Sequence, residues 1–417
     1  MKLIQPFSGL RPPPALAATL SAPPYDVINR KEAQALAAGH PHSILHVTKA
    51  EINLPDEVET GDPRVYQEAR RRLDRMISSG LLLREETPSL YLYRLRMAGR
   101  EQLGLVAAAS VAAYRSGRIK KHEFTRPDKE EDRTRLAEAL KAHTGPVFLI
   151  HRPQPVVGKA IASALATAEL LYDFTAADGI GHAFWRVFDP QRILDLVTAF
   201  ETLDPVYIAD GHHRSAAAAR VCQSAHNNNP NPPPDEAPVN RFLSVLFPSD
   251  QVRIMDYNRV VRDLNGHSPE RFLETISQQF RVRPAPSPVR PVAKATFGLY
   301  LRQRGWFHLK LDSAFRPAAD IPPQDRLDVS LLSRFLLEPV LGIHDPRRDP
   351  RIDFVGGIRG MDGLVAHVEA NAMAAGFSLF PTSLEELMQV ADANEVMPPK
   401  STWFEPKLRD GLVIQPI

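Results

Sequence analysis

From residue 210 to residue 214 the chain reads Asp-Gly-His-His-Arg, an unbroken run of types that bind ligands or move protons. The residues on either side fix its setting. VYIAD at 206–210 reads as a buried strand, and SAAAARVCQSA at 215–225 is strong helix former, so the run falls on a strand-to-helix turn. A helix N-terminus offers unpaired N–H groups and partial positive charge, and Gly211 lets the backbone approach a ligand closely. With two imidazoles and a guanidinium on the same turn, the chemistry indicated is a phosphate cradle. In it Arg214 would grip phosphoryl oxygens in bidentate fashion, and His212 or His213 would donate to oxygens gaining charge in a transition state. Asp210 stands at the strand end, a common catalytic location. The plainer alternative is that Asp210 caps the helix and the histidines are ordinary polar loop residues.

A second cluster, IKKHEFTRPDKEEDR at 119–133, packs Lys120, Lys121, His122, Glu123, Thr125, Arg126 and Asp128 into a short span after a strand and turn. Glu123 or Asp128 could take a proton from an attacking hydroxyl or hold magnesium, and Lys121 or Arg126 could contact phosphate. The KEEDR half reads as a solvated helix face, with Glu130, Glu131 and Asp132 in local ion pairs. HEFTR has no second histidine four residues on, so this is not the zinc protease pattern. Two more segments are polar beyond the needs of packing. In SAPPYDVI, prolines 23 and 24 stiffen a loop that presents Tyr25 and Asp26, followed by HPHSILHVTKAE at 40–51. In VMPPKSTWFEPKL at 396–408, Lys400 follows paired prolines and is a candidate phosphate contact, while Trp403 and Phe404 fit core packing equally well.

The elements that must carry these residues are of both kinds. Asp62 can cap a helix over 62–79 whose stripe is Val65, Ala69, Leu73, Met76 and Ile77. LYLYRLRM at 90–97, GLVAAASV at 104–111, PVFLI at 146–150 and LSVLF at 243–247 read as strands, and the centre of TFGLYLRQRGWFHLKL as a hairpin. Asp328 is placed as the cap of one late helix, and Thr382 with Glu385 as the capping box of another. The fold class is therefore α/β or α+β with a mixed sheet and two lobes. One lobe, 1–230, carries both charged clusters; a C-terminal α/β lobe spans 240–417, and the proline- and asparagine-rich segment 226–238 is an exposed loop between them.

Composition excludes several classes. With 51 Lys and Arg against 49 Asp and Glu, the formal charge of +2 gives no reason to expect a nucleic-acid partner. A single cysteine, Cys222, rules out an internal disulfide framework and any site built on clustered cysteines. No apolar run approaches the length of a membrane span and the start lacks a signal-peptide pattern, so a cytoplasmic protein without membrane contact is expected. There is no GxxxxGK[ST] loop, no GxGxxG after a first strand, no GxSxG elbow and no HRD or DFG pair. A nucleotide enzyme here would use a less familiar scaffold.

The blocks PPYDVI (23–28), IKKHEFTRPDKEEDR (119–133), TGPVFL (144–149), IADGHHR (208–214), DYNRVVRDLNG (256–266), RIDFVGGIRG (351–360) and MPPKSTWFEPKL (397–408) carry a resemblance over nearly the full length. They resemble the family catalogued as domain of unknown function 1015. Its members more usually read HEKTR at 122–126, so Phe124 marks a position that tolerates change. The GHHR turn and its flanks also resemble the phosphate-binding turn of the ParB and sulfiredoxin superfamily, which includes free serine kinases. That resemblance implies Gly211, His212, His213 and Arg214 around nucleotide phosphates, Asp210 near the acceptor, and ATP or ADP with magnesium as cofactor.

The leading expectation is a nucleotide-dependent phosphotransferase acting on a small hydroxylated metabolite, free L-serine being one such acceptor. Its catalytic candidates are His122, Glu123, Asp210 and His213; its binding candidates are Lys121, Arg126, Gly211, His212, His213, Arg214 and Lys400. One rival is a metal-dependent hydrolase in which His122, Asp210, His212 and His213 ligate zinc or manganese. The other is a ParB-like nucleotide-binding regulatory protein. No resident metal and no oligomeric state is read from the sequence.

Overall fold

The computed structural model describes residues 2–227, 229–318 and 320–417. Its class is mixed α/β. Two compact units divide the chain: Met1–Val252 together with Pro406–Ile417, and Arg253–Glu405. The division falls at 252–253, downstream of the 230–240 boundary expected from the sequence, and the last twelve residues return to the first unit. Residue 228 of the expected loop lies outside the described residues.

In the first unit, nine strands among the described residues form one sheet. They are β1 (Ile4–Gln5), β2 (Leu90–Met97), β3 (Arg100–Ser110), β4 (Ile119–Lys120), β5 (Val147–His151), β6 (Glu169–Thr175), β7 (Gly181–Val187), β8 (Val206–Asp210) and β9 (Arg241–Pro248). Their order is β4-β8-β5-β9-β3-β2-β7-β6, with β1 beside β3. The β4/β8 and β5/β9 pairs are parallel and the other neighbours antiparallel. The inner strands are apolar along most of their length because both faces are covered, which is why they read as continuous hydrophobic runs.

Five helices matter to the first unit: α1 (Pro63–Ser78), α2 (Pro127–Leu140), α3 (Pro155–Leu165), α4 (Pro190–Glu201) and α5 (His212–Asn227). Asp62 caps α1 by accepting from the Arg64 N–H at 2.9 Å, Pro63 opens its first turn, and Val65, Ala69, Leu73 and Met76 form the buried stripe. One apolar cluster joins the sheet to α3, α4 and α5 through Leu149, Ile161, Phe200, Ile208 and Cys222. Another gathers Leu73 of α1, Leu136 and Leu140 of α2, and Ile414 from the chain's end. Each such side chain, fully buried, contributes about 1.5–3 kcal/mol, so this second cluster ties α2 firmly to elements distant in sequence.

The second unit is a six-stranded antiparallel sheet among its described residues, and the 296–311 hairpin lies within it. Two capping expectations are corrected there. Asp328 lies inside its helix, and its carboxylate accepts from the Ala295 N–H at 3.0 Å, so it serves a neighbouring strand and leaves its own helix uncapped. The late helix Leu384–Asp392 is capped by Ser383 with Glu386, one position later than Thr382 with Glu385, because Thr382 donates its hydroxyl to the Ser401 carbonyl. Among the described residues no helix is long and apolar enough to cross a membrane.

Candidate functional site

Strand β8 runs Val206, Tyr207, Ile208 and Ala209 through the sheet interior and delivers Asp210 to its edge. Gly211 follows with φ +94°, a backbone angle that a side chain resists, and α5 starts at His212. The turn is tight as well as left-handed: a Cβ on Gly211 would lie 3.1 Å from Nε of Arg214 and 3.3 Å from Cα of Val147. The Ser215 N–H closes the first helical bond to the Gly211 carbonyl, so the N–H groups of the preceding first-turn residues have no acceptor within the helix.

The two charged clusters meet at this turn. β4 pairs in parallel with β8, Ile119 opposite Val206, so the loop leaving β4 passes the start of α5. His122 and His212 stand edge to face with ring centroids 4.5 Å apart, and the His122 N–H approaches Nε2 of His212 at 3.5 Å, long for a hydrogen bond. Glu123 lies beside them, one ligand atom from each of the three within 4.8 Å of the others. The Arg126 N–H donates to Nε2 of His213 at 3.0 Å, while the Arg126 guanidinium is exposed and pairs with Asp128. Lys121 is exposed and close enough for its charge to be felt at His212. Burial pushes the His122 imidazole down to about 4 and His212 well below its ordinary value, so both are neutral at neutral pH.

Arg214 occupies the opposite side of α5's first turn, and its surroundings differ from the sequence expectation. The guanidinium is buried: Nη1 donates to the Pro146 carbonyl and Nη2 lies 3.7 Å from Asp210. Burial works against its charge, but Asp26, Asp210 and Asp410 together hold it protonated. Asp210 is also 3.5 Å from Nζ of Lys407. Arg214 therefore organises carboxylates more than it offers an exposed phosphate fork: Nη1 is engaged by the Pro146 carbonyl, Nη2 is paired with Asp210 at ion-pair distance, and Nε is buried without a hydrogen-bond partner.

Around Arg214 lies a cavity of about 40 Å³, room for a few water molecules, lined by Tyr25, Arg133, Thr144, Gly145, Arg214 and Asp410 among others. Asp410 is its least expected member. Paired backbone bonds between Asp410 and Ala22 pin it to the PPYD loop, and a Cβ on Gly145 would come within 2.4 Å of Oδ1, so only glycine permits its position. That oxygen has no hydrogen-bond partner. Burial raises the Asp410 carboxyl to about 7, with Arg214 and Arg133 opposing the rise and Asp26 and Asp210 adding to it.

Arg133 stacks its guanidinium 3.9 Å from the centre of the Tyr25 ring and pairs with Asp132 at 2.6 Å. Asp132 in turn accepts from the Tyr66 hydroxyl at 2.9 Å. The reading of KEEDR as a solvated face is thus corrected at its end. Glu130 and Glu131 do form surface pairs with Arg220, but Asp132 is buried because α1 packs over that side of α2. Lys400 belongs to the second unit, with Nζ 5.8 Å from the centre of the Tyr257 ring.

Of the residues expected from sequence, the first unit brings together Lys121, His122, Glu123, Arg126, Gly211, His212, His213, Arg214 and Asp210 around one helix start. Asp410, Arg133, Lys407 and Gly145 were not anticipated there. Signals existed for Gly145, in the TGPVFL block, and for Arg133, an arginine on an α2 face aligned with Leu136 and Leu140. Asp410 gave none, lying two residues past the quoted blocks.

A family model described as Protein of unknown function (DUF1015) matches residues 4–330. No curated protein matches the chain. Among solved structures, a mutant free serine kinase in complex with ADP is 15% identical with a TM-score of 0.36, covering 74% of this chain and 92% of that one. A conserved hypothetical protein from Pyrococcus furiosus is 14% identical with a TM-score of 0.37, at 74% and 95% coverage. SbnI with a C-terminal truncation from Staphylococcus aureus is 11% identical with a TM-score of 0.36, at 74% and 87% coverage. Scores this low carry neither fold nor activity across to this chain.

Proposed function

The chain belongs to the family described as Protein of unknown function (DUF1015), and from its own geometry we propose that it is a nucleotide-dependent phosphotransferase acting on a small hydroxylated metabolite. One observation carries the reading. The start of α5, whose first-turn N–H groups point away from the helix's own carbonyls and follow a positive-φ glycine, stands between a basic flank and a cavity holding a carboxyl poised near neutrality. The N–H groups of His212, His213 and Arg214 receive the transferred phosphate. Lys121 and Arg126 offset its charge from the solvent side.

The acceptor hydroxyl enters the cavity beside Asp410. Glu123 and Asp210 were the first candidates for its base. Asp410 suits the task better, because burial places it near 7 and its Oδ1 has no other partner, whereas Asp210 is committed to Arg214 and Lys407. Space for a few waters admits the reactive end of a small alcohol and excludes a nucleotide, so donor and acceptor would lie on different sides of the turn. Free L-serine is one acceptor of suitable size, and ATP or ADP are the donors to assay.

Magnesium, the expected companion of the nucleotide, requires a cage of oxygens. The orphaned carboxyl of Asp410 is within the influence of the Arg214 and Arg133 charges, which repel a dication, so it does not fit the ion and no step is assigned to it. The test is a pH profile of nucleotide-dependent phosphorylation across a panel of small alcohols. Catalysis should rise with pH through about 7, where Asp410 loses its proton, and Asp410→Asn should lose activity at every pH. Full activity in a folded Asp410→Asn protein removes Asp410 from the mechanism.

A further inference from the structure

We infer that His122, Glu123 and His212 form a binding site for a divalent transition-metal ion, on the flank of α5 opposite Arg214. One ligand atom from each lies within 4.8 Å of the other two. Both histidines are buried, His122 at 1% exposure, and neither ring nitrogen of His122 completes a hydrogen bond. Folded proteins leave few buried nitrogens in that condition, and an ion is one of the standard reasons when they do. The backbone of Ile208 faces the His122 ring closely enough to favour a proton there, as a carbonyl does when it holds the far nitrogen of a metal-bound imidazole.

The charges around the three ligands favour a dication. Asp210 acts on both rings and Glu123 adds a second carboxylate, against Lys121 and His213 on the other side. Ligand distances of about 2.0–2.2 Å place donors about 3.4 Å apart in a tetrahedral site, so the three donors, all within 4.8 Å of one another, close in by roughly 1 Å, and Glu123, half-buried on a loop, has the most freedom to do so. Two imidazoles and one carboxylate select zinc, manganese, cobalt or ferrous iron over magnesium and calcium, which prefer oxygen. Three protein ligands also leave a coordination position open, the arrangement of metal sites that act on a substrate. The inference does not depend on the nucleotide reading, since the ligands are complete without any phosphate.

The test uses the full chain, stripped with chelator and free of nucleotide, titrated with cobalt while its visible d–d absorption is followed, and then with zinc in competition. One equivalent per chain should bind, with the intense visible bands of a low-coordinate nitrogen and oxygen site, and zinc should displace it. Glu123→Ala, a loop change that leaves the buried rings in place, should weaken binding at least about tenfold without moving the melting temperature. His122→Asn should abolish it, and His344→Ala, at an exposed histidine of the second unit, should bind like the native chain. Absence of a stoichiometric cobalt spectrum overturns the site, as does a folded Glu123→Ala protein that binds as tightly as the native one. A chain that binds cobalt but no nucleotide would leave this inference standing and defeat only the phosphotransferase.

Discussion

Asp410 is a carboxyl that folding makes expensive to ionise. The folded chain keeps its proton up to about 7, while an unfolded one releases it near the ordinary 3.8. Between those values the folded state binds more protons, so this group's contribution to stability falls as pH rises and levels off above about 7. The full window amounts to at most about 4 kcal/mol. His122 and His212, depressed by burial, work the other way at low pH, so a variant comparison is needed to isolate Asp410. Asp410→Asn should gain stability relative to the native chain between pH 4 and pH 8, read by urea unfolding. A difference that does not change with pH would mean that Asp410 does not titrate in this window. Arg214→Ala leaves Asp26, Asp210 and Asp410 without their common counter-charge and should cost about 3–5 kcal/mol. The near-complete burial of the Arg214 side chain makes Lys121→Ala, exposed and outside the core, the cleaner probe of phosphate binding.

At the scale of elements, the β8–Gly211–α5 turn was legible because each part has a local signature: a five-residue apolar strand, a glycine, then an alanine-rich helix. The same holds for α1 with its cap and for the 296–311 hairpin. Gly211→Ala should destabilise the protein by about 1–3 kcal/mol, since φ +94° disfavours any side chain and Arg214 stands in the way. Gly145→Ala should damage activity more than stability, because its Cβ displaces the Asp410 carboxylate itself, and comparing melting temperature with turnover for the two variants separates the effects. Arg133 and Asp132 were illegible for a physical reason. Charge density along α2 says "surface", and only the packing of Tyr66 and Tyr25 against that face, from 66 and 108 residues earlier, buries it.

At the scale of the molecule, the cavity draws on Tyr25, Arg133, Gly145, Arg214 and Asp410, spread over almost the whole sequence. No spacing rule links such positions; the link is the return of the chain's end, where Asp410 bridges Ala22 and Gln415 pairs with His143. Removing 406–417 should therefore abolish activity and lower the melting temperature of the first unit, as it strips Lys407, Asp410 and Ile414 from site and core. Retained activity in that truncation would show that the cavity is not where the acceptor binds. The most direct test of the central claim is isothermal titration of the full chain with ADP and ATP, alongside Lys121→Ala and Arg126→Ala. The account predicts saturable binding to the native chain, weakened about tenfold or more in each variant while both melt normally. Absence of binding, or equal binding in all three proteins, would contradict a nucleotide site at the start of α5.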